Sequence, residues 1–238
     1  MLKLTSLVIT DAPEVWERLG FSVVDRRVRI GEVELQLVGT PTDPLLPRGI
    51  VGWEFATDGD RPLPLSIDGI AVAGEPTTGA EPTNTDPHAN LVCNIDHLVV
   101  STPQIDRTIS AFEQAGLECR RQRERTYGSG DQTTTMRQAF FWLGGAAATP
   151  DDRVLCEVVG PKIVDEAKAG DPASFFGLAF TSHDLDATVA TIGEHQMKPA
   201  IVAVQSGRRI ATIRSSAGST VPIAIMSPHV NPTDATAQ

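Results

Sequence analysis

Two ionisable residues stand in strands that leave them few structural partners. Glu157 is the only charge in the apolar run VLCEVVG. A carboxylate there needs a cation, a donor or an altered pKa to offset its desolvation. His97 stands in a second strand-like run, IDHLVVS. Brought together, the two can act as a general acid/base pair, the carboxylate orienting the imidazole or abstracting a proton itself. The plainer alternatives are Glu157 paired to Arg121 or Arg123, and His97 as a core imidazole satisfied by a single hydrogen bond.

Arginines and aromatics could complete a site. Arg137 begins the strand RQAFFWL, and Arg208 and Arg209 begin GRRIATI. Entering a cleft from one end, such guanidinium groups could clamp a carboxylate or phosphate; otherwise they are exposed strand ends. In Phe140, Phe141 and Trp142, strand alternation sends at least one ring to the cleft and at least one toward a helix. Phe140 and Trp142 are the ligand-floor candidates. The run RRQRER (120–125) reads as a solvated strand edge. A phosphate-binding glycine loop, a nucleophile elbow and a dinucleotide fingerprint are all missing from the sequence. YGSGDQTTT (127–135) reads as a hairpin loop beside the cleft.

The elements that must position these residues form a repeat. One unit runs from IDHLVVSTPQIDRTISAFEQAGLECRR through RQAFFWLGG to RVLCEVVGP, and a second from FFGLAFTSHDLDATVATIGEHQ through GRRIATIRSSAG to TVPIAIMSP. Each reads as strand, helix and three strands. Thr102 and Gly116 bracket the first helix, whose Ile105, Ile109 and Phe112 recur at helical spacing. Aligned on their ends, the units set His97 against Leu178 and Glu157 against Ala224, so a polar site can be built from one side only. Residues 1–40 carry the pattern again, with an Asp11-capped helix in DAPEVWERLG and with Ser6 and Gln36 at the corresponding positions. In 49–76, RPLPL replaces the helix. The predicted organisation is a degenerate N-terminal pair (1–76), a linker (77–93), a domain of two units (94–230, units 94–161 and 174–228) and a disordered tail (231–238).

Repeated βαβββ units opening on IDHLVV and closing on LCEVVGP resemble the vicinal oxygen chelate superfamily, which includes glyoxalase I, extradiol dioxygenases, methylmalonyl-CoA epimerase and the bleomycin and fosfomycin resistance proteins. The resemblance implies an α+β fold in which paired units form curled mixed eight-stranded sheets around a cleft. It also implies a divalent metal, with His97 at the first-strand ligand position and Glu157 at the last-strand one. This chain departs from that pattern. Leu178 and Ala224 cannot bind metal, and Ser6 and Gln36 bind it poorly. Two protein ligands fall short of the three usual in catalytic sites, with His183 and Gln205 the nearest further donors.

The totals set outer limits. A net charge of −10 and a pI near 4.9 argue against nucleic acid or an anionic membrane as partner. No apolar stretch approaches the roughly 20 residues of a membrane span, and MLKLTSLVIT reads as a strand rather than a signal peptide. Three scattered cysteines suit a reducing cytoplasm. The expected protein is a cytoplasmic monomer or homodimer that binds a small molecule. It is either a glyoxalase-like lyase, isomerase or epimerase acting on an oxygenated or carboxylate-bearing metabolite, or a metal-free sequestering protein.

Overall fold

The computed structural model describes residues 2–57, 62–72, 87–128, 133–144 and 154–229. The expected tail 231–238, most of the linker and the centre of the 127–135 loop lie outside the described residues.

The chain begins with β1 (Leu2–Ile9), α1 (Pro13–Arg18), β2 (Arg27–Ile30), β3 (Val33–Leu37) and β4 (Ile50–Thr57). These strands form a four-stranded sheet in the order β2-β3-β1-β4. The described part of RPLPL is not helical, and a small hairpin follows, β5 (Ser66–Ile67) and β6 (Ile70–Ala71). Asp11 does not cap α1. Its carboxylate accepts from Trp16 Nε1 at 3.1 Å and from the Ser219 hydroxyl and Thr220 amide at 2.7 and 2.8 Å, tying the first turn to the far end of the chain.

The first complete unit is β7 (Val92–Ser101), α2 (Ile105–Ala115), β8 (Cys119–Tyr127), β9 (Thr134–Trp142) and β10 (Leu155–Pro161). The second is β11 (Ser174–Ser182), α3 (Leu185–Ile192), β12 (Ile201–Val202), β13 (Arg209–Thr212) and β14 (Ile223–Met226). Helix α2 starts later than its sequence suggests, with Gln104 at the cap. Thr102 instead accepts the Gln104 amide and the Thr108 hydroxyl, as Ser182 meets Asp184 and Thr188 before α3. Gly116, with φ 95°, ends α2 as expected.

The two units join through antiparallel β7 and β11 into one mixed sheet, β12-β13-β14-β11-β7-β10-β9-β8. The expectation of curled eight-stranded sheets around a cleft is therefore corrected. Among the described residues only one sheet has eight strands, and neither large sheet is closed or strongly curled. The described residues of the N-terminal half supply a four-stranded sheet and a two-stranded hairpin, too few strands to make a second. The eight-stranded sheet stays open because its edges cannot meet productively: β12 is two residues long, and β8 presents arginines along its length, which blunts edge pairing.

Aromatic residues of the N-terminal half enter the same core as the C-terminal helices. Trp16 and Phe21 pack on Phe180, and Trp53 packs on Phe112 and Phe175 with centroids 5.6 and 5.2 Å apart.

Candidate functional site: a polar chain across one sheet face

The site begins with a break in strand alternation. In the β7–β11 ladder, His97 pairs with Ala179 and Ile95 with Phe180, which leaves Asp96 as an extra residue, a β-bulge. Ordinary alternation would put Asp96 and His97 on opposite faces. The bulge turns both toward the same open face, while Ile95 and Leu98 on either side are buried in the core.

Asp96 and His97 then bind each other, with His97 Nδ1 2.7 Å from Asp96 Oδ1. Behind Asp96 lies Arg208, fully buried, with NH2 2.6 Å from Asp96 Oδ2. Arg208 is saturated: it also donates to the Ser227 carbonyl at 2.8 Å, Gln205 Oε1 at 2.6 Å and Thr181 Oγ1 at 3.2 Å. Burial alone would raise the Asp96 pKa. Hydrogen bonds from His97 and Arg208, together with their charges, outweigh it and hold the carboxyl well below the usual range. An ionised Asp96 can only accept, so the His97 nitrogen facing it, Nδ1, must carry a proton.

Nε2 of His97 is left facing Glu157, 3.9 Å from its Oε2. Glu157 sits on β10 beside Val99, one strand away. Its Oε1 accepts from Gln138 Nε2, and Gln138 Oε1 in turn accepts from Arg123 Nε at 2.5 Å. The amide thus relays between arginine and carboxylate where direct pairing had been the alternative. Arg121 and Arg123 lie over the Phe140 ring at 4.7 and 4.9 Å. Asp96, His97, Glu157, Arg121, Arg123 and Phe140 line one hollow of about 640 Å³, with Trp142, His183, Gln205 and His229 also at its wall, and Gln138 lies behind it.

The structure thus brings together His97, Glu157, Phe140, Trp142 and Arg208, although the Arg208 guanidinium is already engaged. It places Arg137 and Arg209 elsewhere. Each reaches back to the first turn of its own unit's helix, Arg137 to Asp106 and Arg209 to Asp186, both at 2.8 Å. Phe141 faces the other way and packs on Phe112 at 4.8 Å.

Sequence reasoning missed Asp96 and Gln138, and it named Arg121 and Arg123 only as direct partners of Glu157, not as a cationic pair over Phe140. A signal for Asp96 exists. The core residues Ile95 and Leu98 are three apart where alternation demands two, as are Phe175 and Leu178 in the second unit.

The bulges also correct the alignment of the units. Leu98 pairs with Leu178, and the flanking pairs Val99–Gly177 and His97–Ala179 exchange about that point. The extra residue of β11 is Phe176. The counterpart of His97 is therefore Gly177, not Leu178: both strands carry the bulge at the same place, and aligning the units on their ends had introduced an offset of one residue. Ala224 lies beside Ala179 as Glu157 lies beside Val99, so that equivalence stands. A Cβ at Gly177 would lie 2.5 Å from the Pro222 carbonyl oxygen, so no side chain fits there.

For a divalent metal the donor set is short. His97 Nε2 and Glu157 Oε2 could approach one ion, but Asp96 is committed to His97 and Arg208, and Gly177 and Ala224 bring no donor. Among the described residues no three His, Cys, Asp or Glu form a group that could hold a metal. The residues present do not fit a resident metal.

No family model matches the chain, and no curated protein matches it. Solved structures do. A mutant of 4-hydroxymandelate synthase from Streptomyces coelicolor aligns over 96% of this chain and 93% of its own, with a TM-score of 0.61 and 14% identity. Methylmalonyl-CoA epimerase from Mycobacterium tuberculosis aligns over 64% of this chain and 98% of its own, with a TM-score of 0.42 and 20% identity. Along nearly its whole length, then, the chain shares its fold with 4-hydroxymandelate synthase.

Proposed function

We propose that the protein is an enzyme of the lyase or isomerase kind that moves a proton next to a carbonyl group in a small anionic metabolite. The observation that supports this best is the chain Arg208–Asp96–His97···Glu157, in which a buried ion pair fixes an imidazole so that its second nitrogen meets a carboxylate in an open hollow. Holding the imidazole costs two buried charges, which a purely structural histidine does not need.

In the reaction proposed, a substrate C–H bond beside a carbonyl breaks. Its proton passes to the Glu157 carboxylate, and the electron pair moves onto the carbonyl oxygen as an enolate. His97 accepts or returns that proton at Nε2, with Asp96 balancing the imidazolium charge. Arg121 and Arg123, held over Phe140, receive the substrate's anionic group. Both proton-moving groups stand on one sheet face, so they serve one side of a bound substrate. That arrangement favours isomerisation or elimination over an epimerisation needing bases on opposite sides. No step uses a metal.

One observation favours the sequestering alternative. The second unit holds Gly177 and Ala224 where the first holds His97 and Glu157, so the proton-moving pair is not repeated across the sheet. Deuterium uptake from heavy water into 2-oxo and 3-oxo acids, followed by NMR, separates the two. The enzyme reading predicts exchange at the carbon next to the carbonyl, lowered about 100-fold or more in Glu157→Gln. Tight binding of one of these acids with no exchange would overturn it in favour of sequestration.

A further inference from the structure

The near-twofold through Leu98 and Leu178 relates the polar hollow to a second one on the same sheet face, of about 670 Å³. There the three polar groups have been exchanged: Phe176 stands for Asp96, Gly177 for His97 and Ala224 for Glu157. The space has not been filled in. Val99, Ile213 and Ala224 line it, together with Phe176, which is 59% exposed. The bulge that turns Asp96 into the first hollow has its counterpart at Phe176. An exposed ring beside an open apolar concavity of this volume suits a small-molecule site.

Charge sets the class of ligand. Lys198 and Arg214 also line the hollow. Lys198 makes a backbone contact to the Thr212 carbonyl, and Arg214 Nε donates to the Glu194 carbonyl. Among the described residues neither is in an ion pair. In a protein with a net charge of −10, two unpaired cations beside an apolar wall are selective for an anion.

We propose that this second hollow binds an amphipathic carboxylate, its apolar body on Phe176, Val99, Ile213 and Ala224 and its carboxylate between Lys198 and Arg214. His97 borders both hollows, but this site uses neither Glu157 nor Asp96, so it stands or falls apart from the proton-transfer reading.

Calorimetric titration with decanoate, and with decanamide as its uncharged analogue, tests the proposal. The expected result is saturable one-to-one binding of decanoate, with decanamide about tenfold weaker. Ala224→Phe, which fills the hollow, and Lys198→Glu, which reverses an exposed charge, each weaken decanoate by about tenfold or more, and Glu157→Gln leaves it unchanged. Should Ala224→Phe fail to fold, Lys198→Glu and Arg214→Glu carry the test. No saturable binding, equal binding of the amide, or affinity unchanged in the charge-reversed variants would each overturn the assignment, as would a matching loss in Glu157→Gln.

Discussion

Asp96 and Arg208 decide what His97 can do. Arg208 is buried with its donors occupied, so removing its counter-charge strands a cation in the core. Asp96→Asn is expected to cost about 3–5 kcal/mol of stability, measurable by urea denaturation. The pH dependence follows from the sign of the shift. Because folding lowers the Asp96 pKa, its contribution is fully present above the ordinary carboxylate range and is lost as pH falls through the folded value. Acid unfolding of the wild type should therefore steepen below about pH 4, and Asp96→Asn should lack that component. At Glu157 the expectation differs. Glu157→Gln keeps a hydrogen-bonding side chain beside Gln138, so its melting temperature should stay within a few degrees of wild type while activity falls. Added Zn, Mn, Ni or Co should leave the melting temperature unchanged, because two donors hold such ions weakly; a metal-dependent rise would contradict the fit argued from the donor set.

At the scale of elements, the bulges matter most, and they separate what the sequence made legible from what it hid. The repeat, the helices and the sharing of one face by Phe140 and Trp142 follow from periodicity alone. The neighbours of His97 did not, because alternation assumes a regular strand, and the extra residues at Asp96 and Phe176 break it. The place of Arg121 and Arg123 over Phe140 was hidden for a related reason. A basic edge strand has two faces, and only pairing to β9 shows which residues reach Phe140. His88 offers a second test at this scale. It joins the segment before β7 to the N-terminal sheet, accepting the Ser22 amide at Nδ1 and meeting the Arg29 carbonyl at Nε2. Burial lowers its pKa against the opposing pull of the Arg29 carbonyl. The neutral ring is thus the folded form, and its contribution, intact above about pH 6.5, is lost as pH falls through the folded value. Mild acid should loosen this junction first, seen as a fall in amide-exchange protection factors around Ser22 and Arg29, and His88→Gln should remove that fall.

Across the whole molecule, the N-terminal residues share their aromatic core with the C-terminal units. We propose that residues 1–76 brace the paired units and hold no active site of their own. Their corresponding positions support this: Gln36 Nε2 donates to Ser6 Oγ at 2.9 Å and also faces Glu54, a pairing that closes on itself. A chain lacking residues 1–76 would expose Phe180, Phe175 and Phe112 and leave the Arg107 side chain without Asp68, which it holds at 2.7 Å. It should aggregate or melt far below the full chain; a stable, monomeric truncated protein with cooperative unfolding would refute the bracing role.

The account turns on the imidazole at position 97 being held with its free nitrogen toward Glu157. Nitrogen-15 NMR of histidine-labelled protein at about pH 9, where a free imidazole is neutral, reads that arrangement directly. The prediction is one tautomer for His97, protonated at Nδ1 and bare at Nε2, giving way to a mixture in Asp96→Asn. A proton found on Nε2 in the wild type, or a tautomer indifferent to Asp96, would contradict it.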